Sequence, residues 1–441
     1  MKRADHSPKK SRAVLEDLIL YWMRGSHDSD IRAVVEFDGR LDFDRLARAA
    51  RLCLDAEPVL GHRFVPDNFG AHWERVPDLD RSEIASLFET SAYDGDFGRF
   101  LVDAPGTDLF SGPQIRLSVL RSKADTLVIR INHVAGDGGG LKDLTLLLSE
   151  TYRKLKENPG YAPPVNTGSR SLRQIFSRFG RADLLKIVRR SFRDAAEFLR
   201  PAKFLTSSLE TGCRTHPAML VRRVPAERFA RVRAYGKSHS ATVNDVMVAA
   251  HLRAFYRFLN PGGWPRLVIT ADLRRHLPRE QAEAVCNLSG FFYLDLGRNL
   301  GESFDETLFK VRDRIDALKK DYLALGNFPL TTLAFKSLPL PLSLKVHDFL
   351  GHIQKKQAKT EGRVAPLFTN TGAFGDFRAD FGGVNATNAY ITTTVAYPPV
   401  VAVCLSGFAG GLTLTGGFYE GFIGRPLVER FLDLLIAELP A

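Results

Sequence analysis

The sequence has few cysteines for its size. Four are present in 441 residues, namely Cys53, Cys213, Cys286 and Cys404, and none forms a Cys-x-x-Cys pair or stands at metal-ligand spacing from a histidine. A structural zinc site or a disulfide framework is therefore not expected. Sparse, scattered cysteines are typical of a reducing compartment, so we expect a cytoplasmic protein that holds no metal.

Long uninterrupted hydrophobic runs are also missing. The stretch Val14 to Met23 carries Glu16 and Asp17, and is too short and too charged for the core of a signal peptide. The most hydrophobic long stretch, Tyr390 to Phe418, contains the pair Pro398-Pro399 and several threonines. It therefore predicts short β-strands rather than a membrane-spanning segment, and we expect a soluble protein.

Several catalytic signatures are absent. No Gly-x-Ser-x-Gly elbow occurs, so a serine hydrolase of that design is not supported. The run Gly136 to Gly140 precedes a predicted helix and resembles a phosphate cradle. It lacks, however, the Lys-Ser/Thr pair of a P-loop and the spacing of a dinucleotide fingerprint. The alternating residues 115–119 and 127–131 before it predict a hairpin, which argues against a βαβ unit.

Positive charge is in excess. The sequence has 61 Lys and Arg and 50 Asp and Glu, for a net charge of +11. Nine basic and three acidic residues lie between Arg170 and Arg200 alone. Such a field suits nucleic acid, an anionic membrane, or an acidic ligand such as coenzyme A or a carrier protein. No nucleic-acid-reading motif accompanies it, so we do not expect a nucleic-acid partner.

The same segment has helical periodicity. Its apolar positions step by three and four residues and are Leu172, Ile175, Phe176, Phe179, Leu185, Val188, Phe192, Ala195 and Leu199. This spacing predicts one or two amphipathic helices. Two interpretations stay open: peripheral membrane contact through residues 170–200, or a solvated connector that packs on its apolar side, which we favour.

Strand and helix patterns alternate with turns throughout the chain. Asp42 is a predicted N-cap for a helix from Phe43, and Thr242 to Asp245 is a broad-form capping box. The pattern predicts a mixed α/β fold (α+β, two layers). The length and a Pro/Gly-rich break divide it into an N-terminal lobe over 1–165, a basic connector over 166–205 and a C-terminal lobe over 206–441.

Among 11 histidines, His133 has the setting most suited to catalysis. It ends a predicted strand and is followed by a glycine-rich turn that leaves its ring accessible. Asp137 lies four residues later, where its carboxylate can hold the loop or fix the imidazole tautomer. The glycines permit positive φ and close approach of a substrate. Without metal-ligand neighbours, His133 is interpreted as a general base, the alternative being a structural strand-end histidine.

These residues resemble a known family. Asn132 to Gly138, of sequence NHVAGDG, is similar to the HHxxxDG motif of the chloramphenicol acetyltransferase-like superfamily, which includes condensation domains, alcohol acetyltransferases and wax-ester synthases. Gly112 to Val119 resembles the family's "gPp-strand". The other matches are Thr242 to Val246 with "tvNDv", Asp272 to Arg274 with "DLR", and Thr369 to Gly372 with "sNxG". The resemblance extends from about Ala33 to Leu439.

The resemblance implies two similar lobes arranged as a V around a central tunnel, with His133 at its centre. It implies acyl transfer from a coenzyme A or phosphopantetheine-carrier thioester to a hydroxyl or amine. His133, with an ordinary pKa near about 6.5, is then the base. The resemblance further implies that Asp137 is structural and pairs with Arg274. It also implies that the backbone N–H of Gly138 stabilises the oxyanion and that Asn132, Thr369 and Asn370 bind substrate.

Two positions depart from the family pattern: Asn132 replaces the first histidine, and Gly140 stands where serine is frequent. The DFGWG signature of the plant branch is absent, since Phe374 to Phe377 does not match it. We therefore predict a stand-alone acyltransferase with no tightly bound cofactor and no attached carrier or adenylation module. The alternatives are a condensation-type, amide-forming domain that works with an acyl or peptidyl carrier protein, and a non-catalytic partner-binding module.

Overall fold

The computed structural model describes residues 8–93, 96–199, 205–206, 216–259, 266–297, 299–346, 348–349, 363–374, 380–397, 400–421 and 423–440. Cys213, Arg200 and residues 375–377 of the sequence analysis lie outside these ranges. The helices are α1 Leu15–Met23, α2 Phe43–Ala56, α3 Phe97–Asp103, α4 Gly138–Glu157, α5 Arg173–Phe176, α6 Arg181–Leu199, α7 Ala226–Ser238, α8 Val243–Leu259, α9 Phe304–Lys320, α10 Phe328–Ser337, α11 340–346 and α12 Arg425–Ala437.

The strands are β1 Lys10–Arg12, β2 Asp30–Phe37, β3 His62–Asp67, β4 Gly70–Arg75, β5 Ala85–Glu89, β6 Ile115–Arg121, β7 Asp125–Asn132, β8 Leu205–Thr206, β9 Pro217–Val224, β10 Leu267–Asp272, β11 Ser289–Leu294, β12 Arg363–Ala373, β13 Ala386–Thr392, β14 Val400–Phe408 and β15 Gly411–Tyr419. They form a three-stranded sheet of order β1-β4-β3, a five-stranded sheet of order β13-β2-β7-β6-β5, and a seven-stranded sheet. The last has the order β11-β10-β12-β14-β15-β9, with β8 paired to β12. Mixed helix and sheet content is thus confirmed.

Local sequence signals account for several element boundaries. The Asp42 side chain accepts a hydrogen bond from the Arg45 N–H and caps α2, as predicted. At α8, the Asp245 N–H donates to the Thr242 hydroxyl while the Asp245 carboxylate accepts from the Thr242 N–H, which confirms the capping box. The predicted hairpin is β6 and β7, which pair antiparallel from Ile115 opposite Ile131 onwards.

The two halves of the sequence share the five-stranded sheet. Strand β13 pairs antiparallel with β2, with Tyr390 opposite Val34 and Ala389 opposite Val35. On the side of β2 away from β13, β7 pairs antiparallel and leads into the histidine motif. The limits of the predicted lobes stay a prediction, but residues 386–392 pair with the sheet that carries His133.

Buried apolar side chains form two clusters. One is centred on the five-stranded sheet and includes Trp73 and Leu141, together with Ile391 of β13. The other is centred on the seven-stranded sheet and also takes in Phe100 of α3. Each cluster thus contains side chains from both halves of the chain, so each core stabilises the seam on which the motif residues lie.

The connector helix α6 is oriented differently from our favoured interpretation. Leu185, Val188 and Phe192 are 71%, 42% and 61% exposed, whereas Ile187 and Arg190 are buried. The helix therefore packs through a partly ionic side and turns an apolar stripe outward. The expectation of a connector packed on its apolar side is wrong for these three positions. Within the described residues, no helix is both long enough and apolar enough to traverse a lipid bilayer.

Candidate active site

His133 directly follows β7 and is held by backbone contacts. Its N–H donates to the Ser29 carbonyl at 2.8 Å, which continues the β2–β7 pairing by one residue. Its ring Nδ1 lies 3.3 Å from the Gly136 carbonyl oxygen. Because a carbonyl only accepts, this contact assigns the proton to Nδ1 and leaves a free lone pair on Nε2. The half-buried ring therefore presents a basic nitrogen.

The surroundings of His133 favour its neutral form. Burial lowers the pKa of His133, and the neighbouring His27 lowers it further, against a weaker opposing effect of Asp137, to about 4. This value corrects the expected pKa near about 6.5. A neutral imidazole is the form that accepts a proton, so the site is in its base-competent state across the neutral pH range.

A second imidazole, which sequence reasoning missed, lies beside the first. The rings of His27 and His133 are 5.5 Å apart between centroids. His27 Nδ1 lies 2.5 Å from the Asp28 carbonyl, so by the same argument its Nε2 is unprotonated. That Nε2 is buried and has no hydrogen-bond partner among the described residues. The sequence holds no motif at His27, and only the fold brings it to His133.

His27 is placed by the second half of the chain. It forms a β-bridge with Ala396, and the Asp28 N–H donates to the Val395 carbonyl at 3.0 Å. The Tyr397 N–H donates to the Ser26 carbonyl at 2.8 Å. The extended segment that follows β13 therefore fixes the position of the second imidazole.

Asp137 is the N-cap of α4 and the centre of a buried hydrogen-bond network. Its Oδ1 accepts from the Gly140 N–H at 2.9 Å. Its Oδ2 accepts from the Leu288 N–H at 2.7 Å and from the Ser289 hydroxyl at 2.8 Å. The side chain is 2% exposed. Asp137 thus caps its own helix and also binds the beginning of β11.

Arg274 completes this network from the other half of the chain. Its Nη1 donates to Asp137 Oδ2 at 3.0 Å, and its Nη2 lies 2.9 Å from Asp137 Oδ1, a bidentate pair. Burial alone would raise the pKa of Asp137, but Arg274 and the hydrogen bonds lower it to about 2. Burial would lower the pKa of Arg274, but Asp137 and Asp272 raise it. Both side chains are therefore charged at neutral pH.

The glycines of the motif are needed for close packing, not for a backbone conformation with positive φ. Gly138 to Gly140 form the first turn of α4, and none of the described positive-φ residues belongs to the motif. A Cβ on Gly139 would lie 2.4 Å from Arg274 Nη1, and one on Gly140 would lie 3.0 Å from the Cys286 carbonyl oxygen. The expectation of left-handed glycines is wrong: close approach of Arg274 and Cys286 requires them.

The three predicted substrate-binding residues all make protein contacts. Asn132 is buried, donates to the Thr107 hydroxyl at 3.1 Å and accepts from the Val134 N–H at 3.1 Å. Thr369 shares a hydroxyl hydrogen bond with Thr270. Asn370 donates to the Asn244 side chain at 3.1 Å. Their role towards substrate stays a prediction.

The site is connected to β12 one residue after Asn370. A Cβ on Gly138 would lie 3.3 Å from the Thr371 methyl group. Lys142, one turn further along α4, donates to the carbonyls of Thr371 and Ala373. The first turn of α4 therefore lies directly against β12, the strand that contains residues 369–372.

Sequence reasoning also missed the residues that hold the motif loop in place. Asn287 donates to the Val134 carbonyl at 2.9 Å. Arg170, assigned from the sequence to the basic connector, donates to the Ala135 and Val285 carbonyls and makes a bidentate pair with Asp17. No local pattern distinguishes this arginine from its basic neighbours. The described residues contain no group of three or more His, Cys, Asp or Glu suited to a metal ion.

Comparison with known proteins defines the fold. No family model matches the sequence, and no curated protein matches it. The first condensation domain of the CDA synthetase superposes with a TM-score of 0.68 at 17% identity, over 98% of this chain and 96% of that one. Polyketide synthase associated protein 5 from Mycobacterium tuberculosis gives 0.65 at 16% identity, over 98% and 97%.

A third neighbour is TRI3 trichothecene 15-O-acetyltransferase from Fusarium sporotrichioides, with a TM-score of 0.67 at 13% identity, over 98% of this chain and 96% of that one. All three superpositions extend over nearly the full length of both chains. The chain therefore has the fold of the chloramphenicol acetyltransferase-like superfamily, which its sequence motif had indicated.

Proposed function

We propose that this protein is an acyltransferase in which His133 acts as the general base. The donor is an acyl thioester of coenzyme A or of a phosphopantetheine carrier, and the acceptor is a hydroxyl or an amine. The observation that carries the proposal is the orientation of His133: its Nδ1 faces the Gly136 carbonyl, so its Nε2 is free to accept a proton.

The reaction takes place in two steps. His133 Nε2 accepts the proton of the acceptor O–H or N–H while the oxygen or nitrogen attacks the thioester carbonyl carbon. The carbonyl π electrons move to oxygen and form a tetrahedral oxyanion. When this intermediate collapses, the C–S bond breaks and the departing thiolate takes the proton from His133. Atoms and charge balance, and the imidazole returns to its neutral form.

The beginning of α4 supplies groups suited to the oxyanion. The first-turn N–H groups of a helix have no intrahelical acceptor, and the helix dipole places partial positive charge there. Asp137 accepts only the N–H of Gly140 within this turn. The N–H of Gly138, in a half-buried position, is the group we assign to the oxyanion.

His27 supplies a hydrogen-bond acceptor in this mechanism. Its Nε2, which has no partner within the described part of the chain, accepts a hydrogen bond from a second polar hydrogen of the acceptor substrate, or from a water molecule that bridges to it. Because the Nε2 atoms of both imidazoles lack protons, the pair favours an acceptor that offers two donors, as a primary amine or a diol does.

Replacement of His133 tests the proposal. His133→Ala is expected to reduce turnover of a reactive thioester and acceptor by about 100- to 10,000-fold, the usual contribution of a general base. Release of free thiol from acyl-coenzyme A and acyl-pantetheine donors, with a panel of amines and alcohols, measures it. His216→Ala is the matched control, since His216 is exposed immediately before β9. Undiminished turnover by His133→Ala would contradict the proposal.

A further inference from the structure

The outward side of α6 carries an unusual combination of side chains. Leu185 and Phe192 lie two turns apart, about 10 Å along the axis, and Val188 lies between them. All three are exposed, Leu185 and Phe192 to 71% and 61%. Exposed large apolar side chains in a row are rare on proteins that have no partner surface. We refer to these three residues as the outer stripe of α6.

The inner side of the same helix explains this orientation. Arg190 donates to Asp194 at 2.6 Å and to Asp321 at 2.8 Å. Ser191 accepts from the Leu330 N–H at 3.2 Å, at the start of α10. These directional contacts and the burial of Ile187 fix the rotation of the helix, because turning the outer stripe inward would break the ion pairs and expose Ile187. The exposure of the outer stripe is thus built into the packing of α6.

Positive charge lies along the outer stripe. Arg181 and Arg189 are exposed on the same side of the helix, since they are spaced by four residues from Leu185. The described residues offer neither of them an ion-pair partner. Lys186 and Arg193 stand further round the helix, and each lies near an aspartate. The stripe therefore has an uncompensated cationic border.

We propose that the outer stripe of α6 docks the protein on the surface of an anionic lipid bilayer. Leu185, Val188 and Phe192 enter the boundary between head groups and acyl chains, while Arg181 and Arg189 bind lipid phosphates. Protruding apolar side chains bordered by Arg or Lys are the pattern of helices that lie in a membrane interface. A purely ionic partner would not explain why large apolar side chains are exposed among the arginines.

This inference is independent of acyl transfer, because none of these residues contacts the motif loop. Vesicle co-sedimentation of the full chain tests it, with phosphatidylcholine alone and with phosphatidylcholine mixed with phosphatidylglycerol. The unaltered protein is expected to bind the anionic vesicles and to be released by salt. The double variant Leu185→Ser/Phe192→Ser is expected to bind at least about tenfold more weakly, since two large apolar side chains no longer insert.

Reversing the charge of Arg181 and Arg189 measures the ionic contribution to vesicle binding. Each basic residue near an anionic surface contributes about 1 kcal/mol, so Arg181→Glu/Arg189→Glu is expected to reduce vesicle binding by at least about tenfold. Arg231→Glu/Arg430→Glu changes the net charge equally at exposed positions on α7 and α12. Leu427→Ser is the apolar control, at a 40%-exposed position of α12. Neither control is expected to change binding by more than about twofold.

Circular dichroism confirms that each variant is folded before it is compared. Equal binding to both kinds of vesicle would overturn the proposal, as would a loss of binding that is as large in the control variants. Failure of the unaltered chain to bind anionic vesicles would also overturn it and would leave an acidic protein as the occupant of this surface.

Discussion

The motif loop and the connector helix α6 bury their charges in a similar way but differ in what they expose. At the motif, Asp137 and Arg274 form a bidentate pair 2–5% exposed, and the neighbouring glycines let the arginine approach. In α6, Arg190 pairs with Asp194 and Asp321 on the inner side, where Ile187 is also buried, while Leu185, Val188 and Phe192 face outward. The comparison shows that in both regions ionic contacts with distant segments act together with hydrophobic packing, since Leu141 and Leu144 of α4 and Ile187 of α6 are buried beside the ion pairs.

The energetic consequence differs between the two regions. The Asp137 pair is buried on all sides and receives two further hydrogen bonds from β11 and its preceding residue. The Arg190 pair is partly open, since the Asp321 side chain is 37% exposed. A buried ion costs several kcal/mol when its partner is removed, and solvent screens an exposed one. Removing one partner should therefore lower the free energy of unfolding more for the Asp137–Arg274 pair than for the Arg190 pair.

The largest expected effect is at Asp137. Asp137→Ala leaves Arg274 charged and buried without its main partner and removes the cap of α4, so the free energy of unfolding should fall by about 4 kcal/mol. Urea denaturation measures it. Asp42→Ala is the matched control: it also removes an aspartate N-cap, but its partner Arg45 is near the surface, and a loss of about 1 kcal/mol is expected. Equal losses of unfolding free energy in Asp137→Ala and Asp42→Ala would show that the buried pair with Arg274 adds nothing beyond the N-cap.

A smaller effect is expected at α6, where the two sides of one helix can be compared directly. Arg190→Ala should lower the free energy of unfolding by about 2 kcal/mol, because Asp194 keeps its charge in a largely buried position. Leu185→Ser, on the outer stripe, should change it by no more than about 0.5 kcal/mol. Urea denaturation of both variants provides the comparison. A larger loss for Leu185→Ser than for Arg190→Ala would show that the apolar side is buried after all.

The smallest expected effect is a shift in pH dependence at His27. The proposed mechanism requires neutral His133, so it predicts that kcat/KM falls as pH decreases through the pKa of His133, about 4. The proximity of His27 lowers that pKa, so His27→Gln should raise it and move the acid limb to higher pH. The KM for the acceptor should also increase, because the glutamine amide reaches a different position. If the acid limb of the kcat/KM profile is the same in His27→Gln as in the unaltered protein, His27 does not affect the pKa of His133.

The sequence predicted the elements that local chemistry specifies. The cap at Asp42, the capping box at Thr242 and the hairpin of β6 and β7 depend on neighbouring residues, and all three are confirmed. The motif around His133 was recognised because its residues are contiguous. The fold followed from that motif and its companions along the chain. Each of these inferences rests on contacts or patterns within a short stretch of sequence.

Residues that act across the fold escaped sequence reasoning. His27 lies more than 100 positions before His133 and has no motif of its own, yet its ring lies beside that of His133. Arg170 looked like one of nine similar cations, but it is anchored to Asp17 and to the motif loop. The pairing of 26–28 with 395–397 brings His27 into place. No pattern within one segment contains that information.

By itself, the sequence determined the caps at Asp42 and Thr242, the hairpin of β6 and β7, and the loop that carries His133, because capping, alternation and a contiguous motif are local properties. The pairing of Asp137 with Arg274, which the resemblance implied, is present. Only the tertiary structure decided that a second imidazole lies beside His133, that Arg170 holds the motif loop, and that Leu185, Val188 and Phe192 of α6 face outward. The physical reason is that ion pairs and buried hydrogen bonds join segments that are distant in the sequence, whereas periodicity describes one segment at a time.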